Sequence, residues 1–311
     1  MRKTHIFYTL FLTSTFFNNS TLSKISLESL YSKLFSKQKQ EIIHKELTLE
    51  KKGTLSIDNI YGNIQIKTEW SLNSIILKAC KRVSKKENTQ DIEIDVENQL
   101  AANKIAIKTK YKNEKSTGIV DYELIVPNNI TVNLNTKKGD IKIKRVQGKI
   151  KASSDKGDIK ILDAKGSIRA HAQQGNIAIS QSVGNIDAKT KYGNISILQS
   201  SKSLHATTHT GAIKVDCKKI PSIGSVYLTS NSGNISLSLP SKTNADIKAQ
   251  THRGLLTCEH FITLKPQSVL LNKKTWDRFK REVDGTIGTG ESVIKISSNS
   301  GNIKILKTKD S

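Results

Sequence analysis

The chain is short of several things. It has 3 Cys in 311 residues, too few for a disulfide scaffold. It has 16 aromatic residues (7 Phe, 7 Tyr, 2 Trp), and no basic stretch is interleaved with them. That argues against a stacking platform for nucleic acid. No apolar run reaches the ~18 residues that mark an ordinary membrane-spanning helix. Acidic residues are scarce as well: 27 Asp and Glu stand against 50 Lys and Arg, a formal charge of +23. The excess is 43 Lys against 7 Arg, whereas readers of phosphate and base edges favour the Arg fork. At 36% apolar the chain is too hydrophobic for a disordered protein.

What is present begins with a basic Met1-Arg2-Lys3, followed by a mostly apolar stretch from Ile6 to Phe17. Thr21 and Ser23 then occupy the small-residue positions of a cleavage site. This layout predicts a signal peptide over 1–23, hence export and no membrane span after its removal. Leu27, Leu30, Tyr31, Leu34 and Phe35 recur at helical spacing, with Lys33, Lys37 and Lys39 among them. They predict a short amphipathic helix over 24–46, either capping the next domain or lying on an anionic membrane surface.

The main signal is a repeat. Gly139, Gly148, Gly157, Gly166, Gly175, Gly184 and Gly193 follow one another at intervals of nine; Lys202 takes the next slot and Gly211 resumes the series. Two positions after the slots stand Ile141, Ile150, Ile159, Ile168, Ile177, Ile186, Ile195, Leu204 and Ile213. Two further on, Ile143, Ile161, Ile179 and Ile197 alternate with Ala152, Ala170, Ala188 and Ala206, so the true period is eighteen. An apolar–polar–apolar triplet is a short strand with one buried face. Glycine before it supplies the positive φ of a tight corner. Identical half-units are expected to stack in parallel ~4.8 Å apart. Ile141, Ile159, Ile177 and Ile195 then form one wall, and the Ile-Ala strands form the wall opposite. The expected fold is an all-β, parallel β-solenoid over 47–306 with coils of about 18 residues and two strands each, followed by a tail at 307–311. Segments 24–52 and Gly285–Leu306 are the expected caps. Trp276, Phe279 and Val283 are spaced like one face of a short helix.

Gly62-Asn63-Ile64-Gln65-Ile66, Val126-Pro127-Asn128-Asn129 and the Gly139-Asp140-Ile141-Lys142-Ile143 ladder resemble the bacterial β-strand-repeat family of unknown function labelled "putative adhesin". Gly285-Thr286-Ile287-Gly288-Thr289-Gly290 and Ser300-Gly301-Asn302-Ile303-Lys304-Ile305 fit the same pattern. The resemblance covers roughly 47–306. It implies a β-solenoid and an exported or envelope-associated protein, and it offers no catalytic residues.

A search for chemistry returns little. Asp140 and Asp158 share a slot one period apart, which would bring them to about the carboxylate separation of a retaining glycosidase. Lys142 and Lys160 neutralise them on the same outward face. A second column, Lys151, Arg169, Asp187 and His205, reads as a surface charge ladder and lacks the ligands of a zinc site. Cys258-Glu259-His260 near His252 reads as a small core residue with polar neighbours. The recurrent Gly-Asn-Ile lacks the Asp of a calcium nonapeptide and reads as a ladder of Asn on Asn at the corner. No cofactor or metal is expected. Lys142, Lys151, Lys160 and Arg169 are the candidate anion-facing residues. The expectation is a non-enzymatic exported scaffold in the periplasm, at the cell surface or secreted. Its expected partner is an anionic envelope polymer, a glycan or an acidic protein, with nucleic acid unlikely. The alternatives are a polysaccharide-active β-helix enzyme and a membrane-associated regulator of envelope stress.

Overall fold

The computed structural model describes residues 38–308 apart from 50–51, 70–72, 85, 113–115, 201, 219–223 and 266–280. The expected signal peptide, positions 24–37 of the expected helix, Trp276, Phe279 and the end of the expected tail lie outside the described residues. These form strands with two short 3₁₀ turns and no α-helix. Two expectations of helix are therefore corrected. Residues 38–46 belong to the strand Gln38–Thr48, which pairs antiparallel with Ser74–Ser84 and packs Ile43 and Leu47, four residues apart on one face, against the core. Val283 belongs to the strand Glu282–Ile287.

The strands form two sheets of 12 and 13 strands. From residue 131 to 240 the chain alternates between them, one strand each per coil, and the parallel register is the predicted one. Ile141 pairs with Ile159, Ile159 with Ile177, and Ile177 with Ile195. On the facing sheet, Ala152, Ala170, Ala188 and Ala206 lie in one row and are buried. Ile-Ile against Ile-Ala is thus a volume match across a thin core.

The corners set this register. Gly157 has φ 149° and Gly166 has φ 129°, values at which an L side chain is strained. A Cβ on Gly157 would also run into the carbonyl oxygen of Gly139, and one on Gly166 into that of Gly148. Just past the first corner, a ladder of Asn and Asp side chains ties coil to coil. Each side-chain oxygen accepts the backbone N–H of its counterpart in the next coil, at 2.7–2.9 Å. The order is Asp121, Asn63, Asp140, Asp158, Asn176, Asn194 and Ala212, then Asn234, Asn302 and Leu255. Ala212 breaks it, since its methyl offers Asn234 no acceptor.

Inside the corner runs a column that the glycine pattern did not expose. Thr136, Ser154, Thr190, Thr208, Ser230, Ser298 and Thr251 are buried, and each hydroxyl donates to a corner glycine carbonyl. Ala172 occupies this column without a hydroxyl. At one end the column becomes a network. The Tyr122 hydroxyl bonds the Thr109 hydroxyl at 2.7 Å, Thr109 donates to Asn59 Oδ1, and Asn59 Nδ2 donates to the carbonyls of Gly62 and Val120. Burial pushes the Tyr122 phenol up to about 12, so it stays a protonated donor.

The stack does not follow chain order at its ends. The coil Thr54–Tyr61 and Ile64–Glu69 lies between the coil of residues 104–127 and that of 131–144. Likewise Ser292–Ser300 and Ile303–Thr308 lie between residues 225–240 and 245–258. The expected cap Gly285–Leu306 is corrected on this point. Most of it is an internal coil, because Asn302 carries both ladder bonds and Gly301 stacks on Gly233. The ends are closed by antiparallel strands: Gln38–Thr48 and Ser74–Ser84 on one sheet, and Ile92–Gln99 and Glu282–Ile287 on the other. The edge strand Gln38–Thr48 places Lys39, Glu41 and Lys45 on the same face as Ile43, a charge pattern that discourages edge-to-edge pairing. Glu41 Oε2 lies 3.4 Å from the Nζ of the buried Lys81.

Two substitutions test the corner. Gly157→Ala is expected to destabilise the fold by about 3 kcal/mol, from strained φ and the collision with Gly139. Ala212→Asn, which supplies the missing acceptor, is expected to stabilise it by about 0.5 kcal/mol. Denaturant midpoints at constant m-value read both.

Candidate functional site

The register sorts the sequence-predicted charges onto two opposite faces. Lys142 and Lys160 are neighbours on the outside of the 12-stranded sheet, with Gln65 and Ala178 on either side. Lys151 and Arg169 are neighbours on the outside of the 13-stranded sheet. The four cations therefore do not converge. They make two pairs, one per face. Asp140 and Asp158 are engaged as well: their carboxylates hold the backbone N–H groups of Asp158 and Asn176, which assigns this pair to the corner ladder.

The outer face of the 13-stranded sheet has more relief. A groove of about 410 Å³ crosses six coils between Asn133 and Ser225, with Lys151, Arg169, Asp187, His205 and Tyr227 along it. An opening of about 710 Å³ shares Asn133 and Lys151 with it and continues towards Glu97. Arg169, Asp187, His205, Tyr227 and Lys295 occupy one register row on consecutive strands. Asp187 Oδ1 lies 3.4 Å from Lys189 Nζ and 3.6 Å from His205 Nδ1. His205 meets Tyr227 edge-to-face at 6.3 Å, and Lys295 Nζ stands 5.7 Å from the Tyr227 ring centre. A second trio, Lys191, Tyr192 and His209, repeats this arrangement at 5.2 and 6.3 Å.

The column Lys151, Arg169, Asp187, His205 is visible in the repeat, and its continuation is not. Between His205 and Tyr227 the coil lengthens to 22 residues, so period-eighteen counting loses Tyr227 and Lys295. The available signal is the corner motif: Gly233-Asn234-Ile235 and Gly301-Asn302-Ile303 reset the register, and Tyr227 and Lys295 stand six residues before their glycines as His205 stands before Gly211.

The remaining candidates do not form a centre. Cys80, Cys217 and Cys258 are free thiols. Burial pushes the Cys217 thiol up to about 12 and raises that of Cys258, the opposite of an activated nucleophile. Cys258 Sγ lies 3.7 Å from the His260 carbonyl, and burial lowers the pKa of the His260 ring. Among the described residues no group of three or more His, Cys, Asp or Glu is placed to hold a metal ion.

No curated protein matches the chain. Among solved structures it is similar to a "putative adhesin" from Bacteroides fragilis NCTC 9343, at 10% identity over 86% of this chain and 97% of that one, with a TM-score of 0.47. It is also similar to a "putative cell adhesion protein" from Clostridium sporogenes ATCC 15579, at 13% identity over 88% and 100%, TM-score 0.28. A "putative adhesin" from Parabacteroides distasonis ATCC 8503 matches at 10% identity over 85% and 97%, TM-score 0.30. The family description Toastrack DUF4097 matches residues 18–306, all of the two-sheet stack but the last two residues of its final strand, and the chain belongs to that family.

Proposed function

We propose that this protein is a non-enzymatic, exported β-solenoid of the cell envelope, an adhesin-like scaffold whose outer faces bind an anionic partner. The observation that carries the reading is the arrangement of charge on the stack. Cations stand in register rows on both faces, while Asp140 and Asp158 are spent on holding the coils together. With a net charge of +23 such faces concentrate polyanions around them. Export rests on the basic, apolar and small-residue layout of 1–23. Among the described residues no helix is long and apolar enough to cross a membrane.

Two measurements test this. The full-length protein is expected to bind polygalacturonate weakly at ~0.01 M ionic strength and to lose most of that binding by ~1 M, where the Debye length shrinks from ~30 to ~3 Å. Absence of binding at low salt removes the anionic partner, and release of new reducing ends removes the non-enzymatic reading. N-terminal sequencing of the protein from an envelope fraction is expected to begin at Lys24; an intact Met1 in a cytosolic fraction contradicts export.

A further inference from the structure

The two faces are not equivalent, and the difference points to a specific occupant. On the 12-stranded sheet the row through Lys142 and Lys160 continues as Gln65 on one side and as Ala178, Ser196 and Lys214 on the other, with no aromatic residue. On the 13-stranded sheet the row runs Ser56, Asn133, Lys151, Arg169, Asp187, His205, Tyr227, Lys295 and Lys248, so it carries the Tyr227 ring among its cations. Among the described residues no acid pairs with Lys151 or Arg169. The single carboxylate in the groove, Asp187, already has Lys189 and His205 within 3.6 Å, so it opposes an incoming anion little. Tyr227 is 36% exposed and Tyr192 is 45% exposed, and each is held by a His at its edge and a Lys near its ring.

From this we infer that the groove on the outer face of the 13-stranded sheet is the docking site for a linear acidic polysaccharide lying along the stack. The inference rests on the anion-binding reading above and assigns it to one face and one polymer class. The chemistry has two parts. Unpaired cations at Lys151 and Arg169 take carboxylate or sulfate groups, with Arg169 offering a bidentate fork. The rigid, amphipathic Tyr227 ring offers an apolar platform for the carbon face of a sugar ring. The groups recur at the strand spacing of ~4.8 Å, so the groove across six coils runs ~24 Å. That length suits an extended chain better than a single small anion. Its concavity suits a polymer better than a flat bilayer.

The test compares two double variants with the same change in net charge. Binding of the full-length protein to polygalacturonate and to inorganic polyphosphate is measured at low salt, with circular dichroism to verify the fold. Lys151→Glu with Arg169→Glu is expected to weaken polygalacturonate binding by roughly tenfold or more, and Lys142→Glu with Lys160→Glu by no more than about twofold. Lys151→Gln with Arg169→Gln gives the same reading should the charge reversals not fold. Tyr227→Ala is expected to weaken polygalacturonate several-fold and to leave polyphosphate, which has no sugar ring, unchanged. Equal losses from the two faces overturn the groove while leaving the anionic scaffold standing. A Tyr227→Ala variant that binds polygalacturonate normally, or loses polyphosphate equally, overturns the sugar. Failure of the unaltered protein to bind either polymer defeats the broader reading first.

Discussion

The structure depends on how closely backbone passes over backbone at one corner of the coil. Where Gly157 lies on Gly139, a methyl group would occupy the space of a carbonyl oxygen, so the corner accepts only glycine in vertical succession. This steric demand fixes the register, and the rest follows from it. Once the glycines are stacked, the Asn and Asp beside them fall within reach of the next backbone N–H. The Ser and Thr hydroxyls meet the glycine carbonyls from inside. Each coil thus satisfies the polar groups of its own bend through its neighbour, as buried backbone must.

Satisfying the corner internally has a consequence for the faces. Acids at the corner slot are drawn into structural bonds, while cations on the strands remain free to point outward. Lys142 and Lys160 on one wall and Lys151 and Arg169 on the other differ only in what the next coils add beside them. On the second wall those coils add Tyr227 and Lys295. In the proposed function this asymmetry separates a diffuse electrostatic surface from a site with a shape.

Much of this was legible in the residues. The glycine interval of nine, the Ile/Ala alternation and the Asn-on-Asn corner gave the coil length, the opposing walls and the pairing of Ile141 with Ile159. Three things escaped. The Ser and Thr column is hidden because Ser154, Thr190 and Thr208 are polar and carry no apolar signal for burial, whereas each turns inward to a carbonyl. The strand at Gln38–Thr48 was mistaken for part of a helix because Lys39, Glu41 and Lys45 interrupt its alternation, the same charges that protect a free edge. The site row was cut short at His205 because a strictly periodic count cannot follow a coil of 22 residues.

The interleaved ends add a dependency in time. The coil of residues 54–69 finds its outer neighbour only when residues 104–127 exist, and the last coil must slide between two that precede it in the chain. A nascent polypeptide emerging in order therefore cannot complete either end of its stack as it appears. The central coils can assemble progressively, but intercalation at the far end waits for residue 308. Until then the strands of residues 225–240 and 245–258 lack the neighbour that joins them, and that end of the stack keeps open edges.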